Sequence, residues 1–133
     1  MNIEPVLRAS EQGDLADAMM DFVDELLEIV DGVGLDATPS AVRTAVLVAA
    51  TDAAMNNDGV TELDGTPISG RIADVKAALT TMGLDQRVSL LDQALAEPAN
   101  VVHLDAWSGC PDDLEAVLAQ WVVRHEAEFR EFG

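Results

Sequence analysis

The chain has little positive charge, few aromatic residues and a single cysteine. Of its 133 residues only seven are Lys or Arg, against 25 Asp or Glu, so the formal net charge is −18. A surface with this charge repels nucleic acid and anionic membranes, and it attracts cations or basic proteins. We therefore discard direct binding to nucleic acid or to a membrane surface as the function.

Other absences narrow the class of protein. No uncharged apolar run reaches the roughly 18 residues of a membrane-spanning helix, and the first residues lack the basic and apolar regions of a signal peptide. The lone Cys110 cannot form an internal disulfide, which is typical of a reducing compartment. Tyrosine is absent, and no sustained alternation of apolar and polar residues predicts strands. We expect a cytoplasmic protein whose residues 1–133 form one acidic domain.

The spacing of apolar residues and turn formers predicts an all-α fold. A first helix begins near Glu4, and further helices are expected at about 15–31, 38–55, 69–82, 85–97 and 111–129. Thr38 is the expected N-cap of the 38–55 helix, which is apolar nearly all round and should be buried. We predict a single bundle of five or six helices around this central helix, with 101–104 as a candidate extended segment.

A row of acidic residues recurs at steps of three and four along the 15–31 helix. At about 100° per residue these side chains fall within a sector of roughly 100°, opposite the apolar residues centred on Phe22 and Leu26. One face of the helix should therefore be core and the other a line of negative charge. We call this line the acidic stripe, and it consists of Asp14, Asp17, Asp21, Asp24, Glu28 and Asp31.

The acidic stripe is unfavourable for the helix that carries it. Like charges at these spacings each cost roughly 0.2–0.5 kcal/mol, and acids near the helix end, Glu28 and Asp31, oppose the helix dipole. Two interpretations account for the stripe. It is a recognition surface, or it is part of a halophilic-like composition, since at about 1 M salt a Debye length of about 3 Å removes most repulsion between exposed neighbours.

Two other features invite a metal or catalytic interpretation. In the turn-forming 56–70 loop, an EF-hand register that places Gly59 at its invariant position puts Ala54 and Gly65 where the anchoring acids belong. A different cation site on that loop, built from Asp58, Glu62 and Asp64, is a minor alternative to a hydrogen-bonded turn.

The soft metal ligands of the chain are few and far apart. His103, Cys110 and His125 lack the short paired spacing of structural zinc sites, and no phosphate-binding glycine loop or nucleophile elbow occurs. We therefore expect no metal, no cofactor and no catalytic residues.

Several segments resemble a known family. They are Ala-Met-Asn-Asn-Asp-Gly-Val at 54–60, Leu-Thr-Thr-Met-Gly at 79–83, Leu-Leu-Asp-Gln-Ala-Leu at 90–95 and Leu-Ala-Gln-Trp-Val-Val-Arg-His at 118–125. Together they resemble the DNA-mimic protein-like domain family over roughly residues 46–132. The chain departs from that family at 57–60, where Asn-Asp-Gly-Val replaces the usual Asn-Gly-Gly-Phe. The resemblance implies an acidic, all-helical protein, and the best-known member uses surface carboxylates to occupy the DNA-binding face of a transcription factor.

These observations predict a non-enzymatic binding protein. We expect the acidic stripe to engage a basic protein surface, with mimicry of DNA toward a DNA-binding protein as the specific hypothesis. One alternative is an immunity-type inhibitor of a nuclease toxin, which would use the same electrostatics. Another is a salt-adapted domain with an unrelated activity, such as a hydrolase that uses His125 or Cys110. The sequence leaves the oligomeric state open, a homodimer included.

Overall fold

The regular structure of the protein is helical. The computed structural model describes residues 1–57 and 70–132, and within these ranges it has a short 3₁₀ helix at Leu35–Ala37 and no strand. The all-α prediction is confirmed, whereas the expected number of five or six helices is not. In the described ranges there are eight α-helices: α1 (Glu4–Gln12), α2 (Ala16–Val33), α3 (Ser40–Asn57), α4 (Ile72–Thr81), α5 (Asp85–Ala96), α6 (Val102–Ser108), α7 (Leu114–Arg124) and α8 (Glu126–Glu131).

The chain divides into two compact units. The first consists of Met1–Val46 and Leu114–Gly133, and the second of Leu47–Asp113. Helix α3 contributes to both, and eleven of its fifteen residues from Ala41 to Met55 are buried, the other four being half-buried. The expectation that residues 1–133 form a single domain stays a prediction.

In the first unit, α1 packs against α2 and α7, and α2 also contacts α7. The apolar face of α2 faces the core, where the ring centroids of Phe22 and Phe129 lie 5.9 Å apart. Helix α3 begins against the C-terminal helices: the indole of Trp121 donates to the carbonyl of Ala41 at 2.9 Å, and the Ala41 amide donates to a Glu128 carboxylate oxygen at 3.1 Å. These two bonds link the start of α3 to the end of the chain.

The second unit contains a buried polar network. The guanidinium of Arg87, 5% exposed, donates from Nε to Asp112 Oδ1 at 2.7 Å and from Nη1 to the Trp107 carbonyl at 2.7 Å. The guanidinium carbon of Arg87, Cζ, lies 4.7 Å from the centroid of the Trp107 ring, within the range of a cation–π contact. The indole nitrogen of the fully buried Trp107 donates to Asp52 Oδ1 at 2.8 Å. Helices α3, α5 and α6 are thereby joined by side chains that satisfy one another's hydrogen bonds.

Three local predictions differ from the structure. Residues 102–104 lie in helix α6 instead of an extended segment, since the amide of Val102 is bonded by the Asn100 side chain and the helix buries Trp107. The predicted 111–129 helix is divided at His125 into α7 and α8. Thr38 donates its hydroxyl to the carbonyl of Leu35 at 2.6 Å, so it closes the 3₁₀ helix instead of accepting from α3.

Two further expectations from the sequence concern membrane-spanning helices and the cation site of the 56–70 loop. Within the described ranges, no helix combines the length and apolar character needed to cross a membrane. The alternative cation site at Asp58, Glu62 and Asp64 lies outside the described residues.

We predict that Trp107→Phe destabilises the protein mainly through the lost bond to Asp52. The loss of one donor to a partly buried acceptor should cost about 1–3 kcal/mol, with a smaller addition for the missing ring atoms. Urea unfolding should give a non-additive cycle, in which Asp52→Ala costs less in the Trp107→Phe background than in the parent. The exposed Asp105 on the same helix provides the control, because Asp105→Asn should change stability by less than about 0.5 kcal/mol. Additive effects of the two changes would contradict the role of this bond.

Candidate partner-binding surface

Helix α2 separates its apolar and acidic residues onto opposite faces. Met19, Phe22, Leu26 and Val30 are buried, each with 4% exposure or less. All six residues of the acidic stripe are exposed, and five of them lie within α2. Asp14 is the exception, because the helix begins at Ala16 and Asp14 therefore precedes it by two residues. The helix has no basic residue, and Glu25 adds one further exposed carboxylate beside the stripe.

Burial of the apolar face determines that α2 forms despite its charge. Full burial of a Met, Phe, Leu or Val side chain contributes about 1.5–3 kcal/mol, so the four residues together contribute on the order of 6–12 kcal/mol. Repulsion between neighbouring carboxylates opposes the helix by only about 1–2.5 kcal/mol in total. The core therefore tolerates the charged face, and the charged face itself adds nothing to stability beyond the first turn.

The stripe carboxylates have no ion-pair partner among the described residues. Within the described part of the chain, none of the six forms a salt bridge with Lys, Arg or His, and the segment 58–69 contains no basic residue. The stripe therefore consists of carboxylates that solvent and salt alone screen in the isolated chain. The stripe as a recognition surface stays a prediction.

Two arginines of the same unit are engaged elsewhere. Arg43 donates to the carbonyls of Leu35, Asp36 and Thr38, at 3.3, 3.3 and 3.0 Å.

Arg130 donates to two carboxylates, Glu4 at 2.6 Å and Glu126 at 2.8 Å. Those hydrogen bonds raise the pKa of the Arg130 guanidinium above its ordinary value, with Glu4 the larger cause. Arg130 thus acts as a link between α1 and α8.

Several carboxylates outside the stripe have partners. In the second unit Lys76 pairs with Asp92, and Arg87 pairs with Asp112. In the first unit, α8 also carries several acidic residues, but two of them make structural contacts. Glu126 pairs with Arg130, and Glu128 accepts a hydrogen bond from the Ala41 amide. An unpaired row on one helix is therefore a local property of α2 and not of every acidic segment.

Negative charge is nevertheless present in both units. The first unit contains 14 acidic and four basic residues, a net charge of −10, and the second contains 11 acidic and three basic residues, a net charge of −8. This broad acidity agrees with a salt-adapted composition. On α2 the carboxylates are clustered, because they follow one another without a cation between them.

The acidic stripe has an exposed apolar neighbour. Met20 is 63% exposed and lies one turn of helix from Asp17 and Asp24. Near the helix end, Val33 is 50% exposed. Single exposed apolar residues are common on protein surfaces, so neither side chain identifies an interface by itself.

Each of the three soft ligands has its own local surroundings. His103 Nε2 lies 3.8 Å from a Glu97 carboxylate oxygen, and Cys110 Sγ lies 3.5 Å from the side-chain oxygen of Gln86. His125 stacks on Trp121 with ring centroids 4.1 Å apart. Among the residues with described positions, no three His, Cys, Asp or Glu side chains are placed to hold a metal ion.

Sequence reasoning missed the polar network around Arg87. A charged residue in an amphipathic helix is most often solvent-exposed, and no local signal identifies Arg87 as the exception. Its partners lie 20 and 25 residues further along the chain. The network leaves one oxygen, Asp112 Oδ2, buried without a hydrogen-bond partner among the described residues.

Comparisons with protein-family models, curated proteins and solved structures find no match for this chain. The resemblance to the DNA-mimic protein-like domain family therefore stays a prediction from the segments that suggested it.

Substitutions at the two ends of α2 should have opposite effects on stability. Asp31→Asn removes an unfavourable charge from the last turn and relieves repulsion with Glu28, so we expect stabilisation by about 0.5–1.5 kcal/mol at low salt. Asp17→Asn removes a charge that the first turn favours, so its effect should be neutral or destabilising by up to about 1 kcal/mol. Urea unfolding at low salt and at about 1 M NaCl tests both, because screening should shrink the difference. Effects of the same sign at low salt would show that the helix dipole does not govern these positions.

Purified protein should contain no stoichiometric transition metal. Among the described residues the thiol and the two imidazoles that could bind zinc do not belong to any group of three possible ligands, and structural zinc sites need four converging ligands. Elemental analysis after purification without chelators measures the metal content directly. About one zinc per chain would overturn this prediction and would make His103, Cys110 and His125 the first candidates for substitution.

Proposed function

We propose that the protein is a non-enzymatic binding module that presents the acidic stripe to a basic protein surface. The observation that carries the proposal is the row of exposed carboxylates on α2, none of which has an ion-pair partner among the described residues. An interaction with a cationic partner would replace like-charge repulsion along the helix with attraction. We place this interaction in the cytoplasm, in keeping with a single cysteine.

Geometry supports a partner that binds DNA. Successive stripe residues are three or four positions apart, which is about 4.5–6 Å along the helix axis, and Asp17 to Asp31 spans about 21 Å. One strand of B-DNA places a phosphate about every 3.4 Å along its axis. The stripe therefore offers a similar line of charge at lower density, of a length that a groove lined with Lys and Arg can cover. DNA mimicry is the specific form of the proposal.

Rigidity also supports a recognition role. The apolar side of α2 is fixed in the core of the first unit, with the Phe22 ring against Phe129, so the carboxylates are held on one helix instead of a mobile tail. A preorganised surface loses less conformational entropy on binding than a disordered acidic segment does. Charges arranged in advance also increase the rate of association with a complementary surface.

We predict that neutralising the stripe weakens capture of a basic partner. Asp17→Asn, Asp21→Asn and Asp24→Asn together remove three carboxylates with little change in side-chain size. If each contributes about 0.5–1 kcal/mol at low salt, the dissociation constant should rise about 10- to 150-fold. The measurement uses immobilised protein and the heparin-binding fraction of a host lysate, which is enriched in DNA-binding proteins, followed by titration of each captured protein. The salt dependence of binding should also become shallower in the triple variant.

The matched control removes the same charge from other helices. Glu11, Asp105 and Glu131 are exposed, lie on α1, α6 and α8, and form no ion pair with any described residue. Glu11→Gln, Asp105→Asn and Glu131→Gln change the net charge equally, so they should weaken binding much less if the stripe is the binding surface. Equal effects of the two triple variants would show that overall acidity, as in salt adaptation, governs the interaction.

Competition with DNA tests the mimicry. A short DNA duplex should displace the captured partner from the parent protein, and the parent protein should in turn release that partner from the duplex. A partner that binds the stripe but ignores the duplex would support an acidic binding protein of another kind, such as a toxin inhibitor whose contact lies outside the nucleic-acid site. Failure of both would remove the DNA-mimic form of the proposal.

A further inference from the structure

We draw no further inference here: the strongest candidate, the exposed Met20 beside the carboxylates of α2, belongs to the surface already described, and nothing in the described residues shows what covers it.

Discussion

The first unit depends on burial of the apolar face of α2. This helix is weakened by its own charges, since carboxylates follow one another at spacings where repulsion is felt and no cation intervenes. What holds it is the contact of residues such as Phe22 and Leu26 with the core, a contribution several times larger than the repulsion. Because burial of the apolar face supplies most of the stability of α2, residues on its outer face can change without loss of the fold. The residues on that face can therefore be selected for binding to a partner or for solubility in salt.

The second unit has polar side chains buried in its interior. Arg87 and Trp107 both bring polar atoms into the interior, and each satisfies the other or a carboxylate at its edge. Replacing one member of such a network leaves the others buried without partners, so its members should be interdependent. In this network charge is paired and contributes to structure, whereas on α2 charge is unpaired and does not. The same overall acidity therefore has two distinct physical meanings within one chain.

Local sequence patterns were sufficient for α2 and insufficient for α6. The period of apolar residues defined the buried face of α2, and Gly34, with φ of 92°, ends the helix in a conformation that glycine adopts readily. Helix α6 is seven residues long and begins with the β-branched Val102, so its own helix propensity is poor. It is held by Trp107, whose contacts come from distant residues. The exposure of the stripe could be predicted from the period of its residues. Its lack of ion pairs could not, because it depends on the partners of arginines such as Arg43 and Arg130, which only tertiary structure determines.

The link between Ala41 and Glu128 has a consequence for the order of folding. Residues 47–113 form a continuous segment, whereas the first unit is assembled from both ends of the chain. The start of α3 obtains hydrogen bonds from side chains 80 and 87 residues away, so those bonds cannot exist until α7 and α8 have been synthesised. Contacts at such separation carry a large loop-closure entropy and slow the search for them. On the ribosome, the apolar face of α2 would therefore be only partly covered, by α1, until α7 and α8 emerge. During that time the carboxylates of α2 would keep neighbouring nascent chains apart by repulsion.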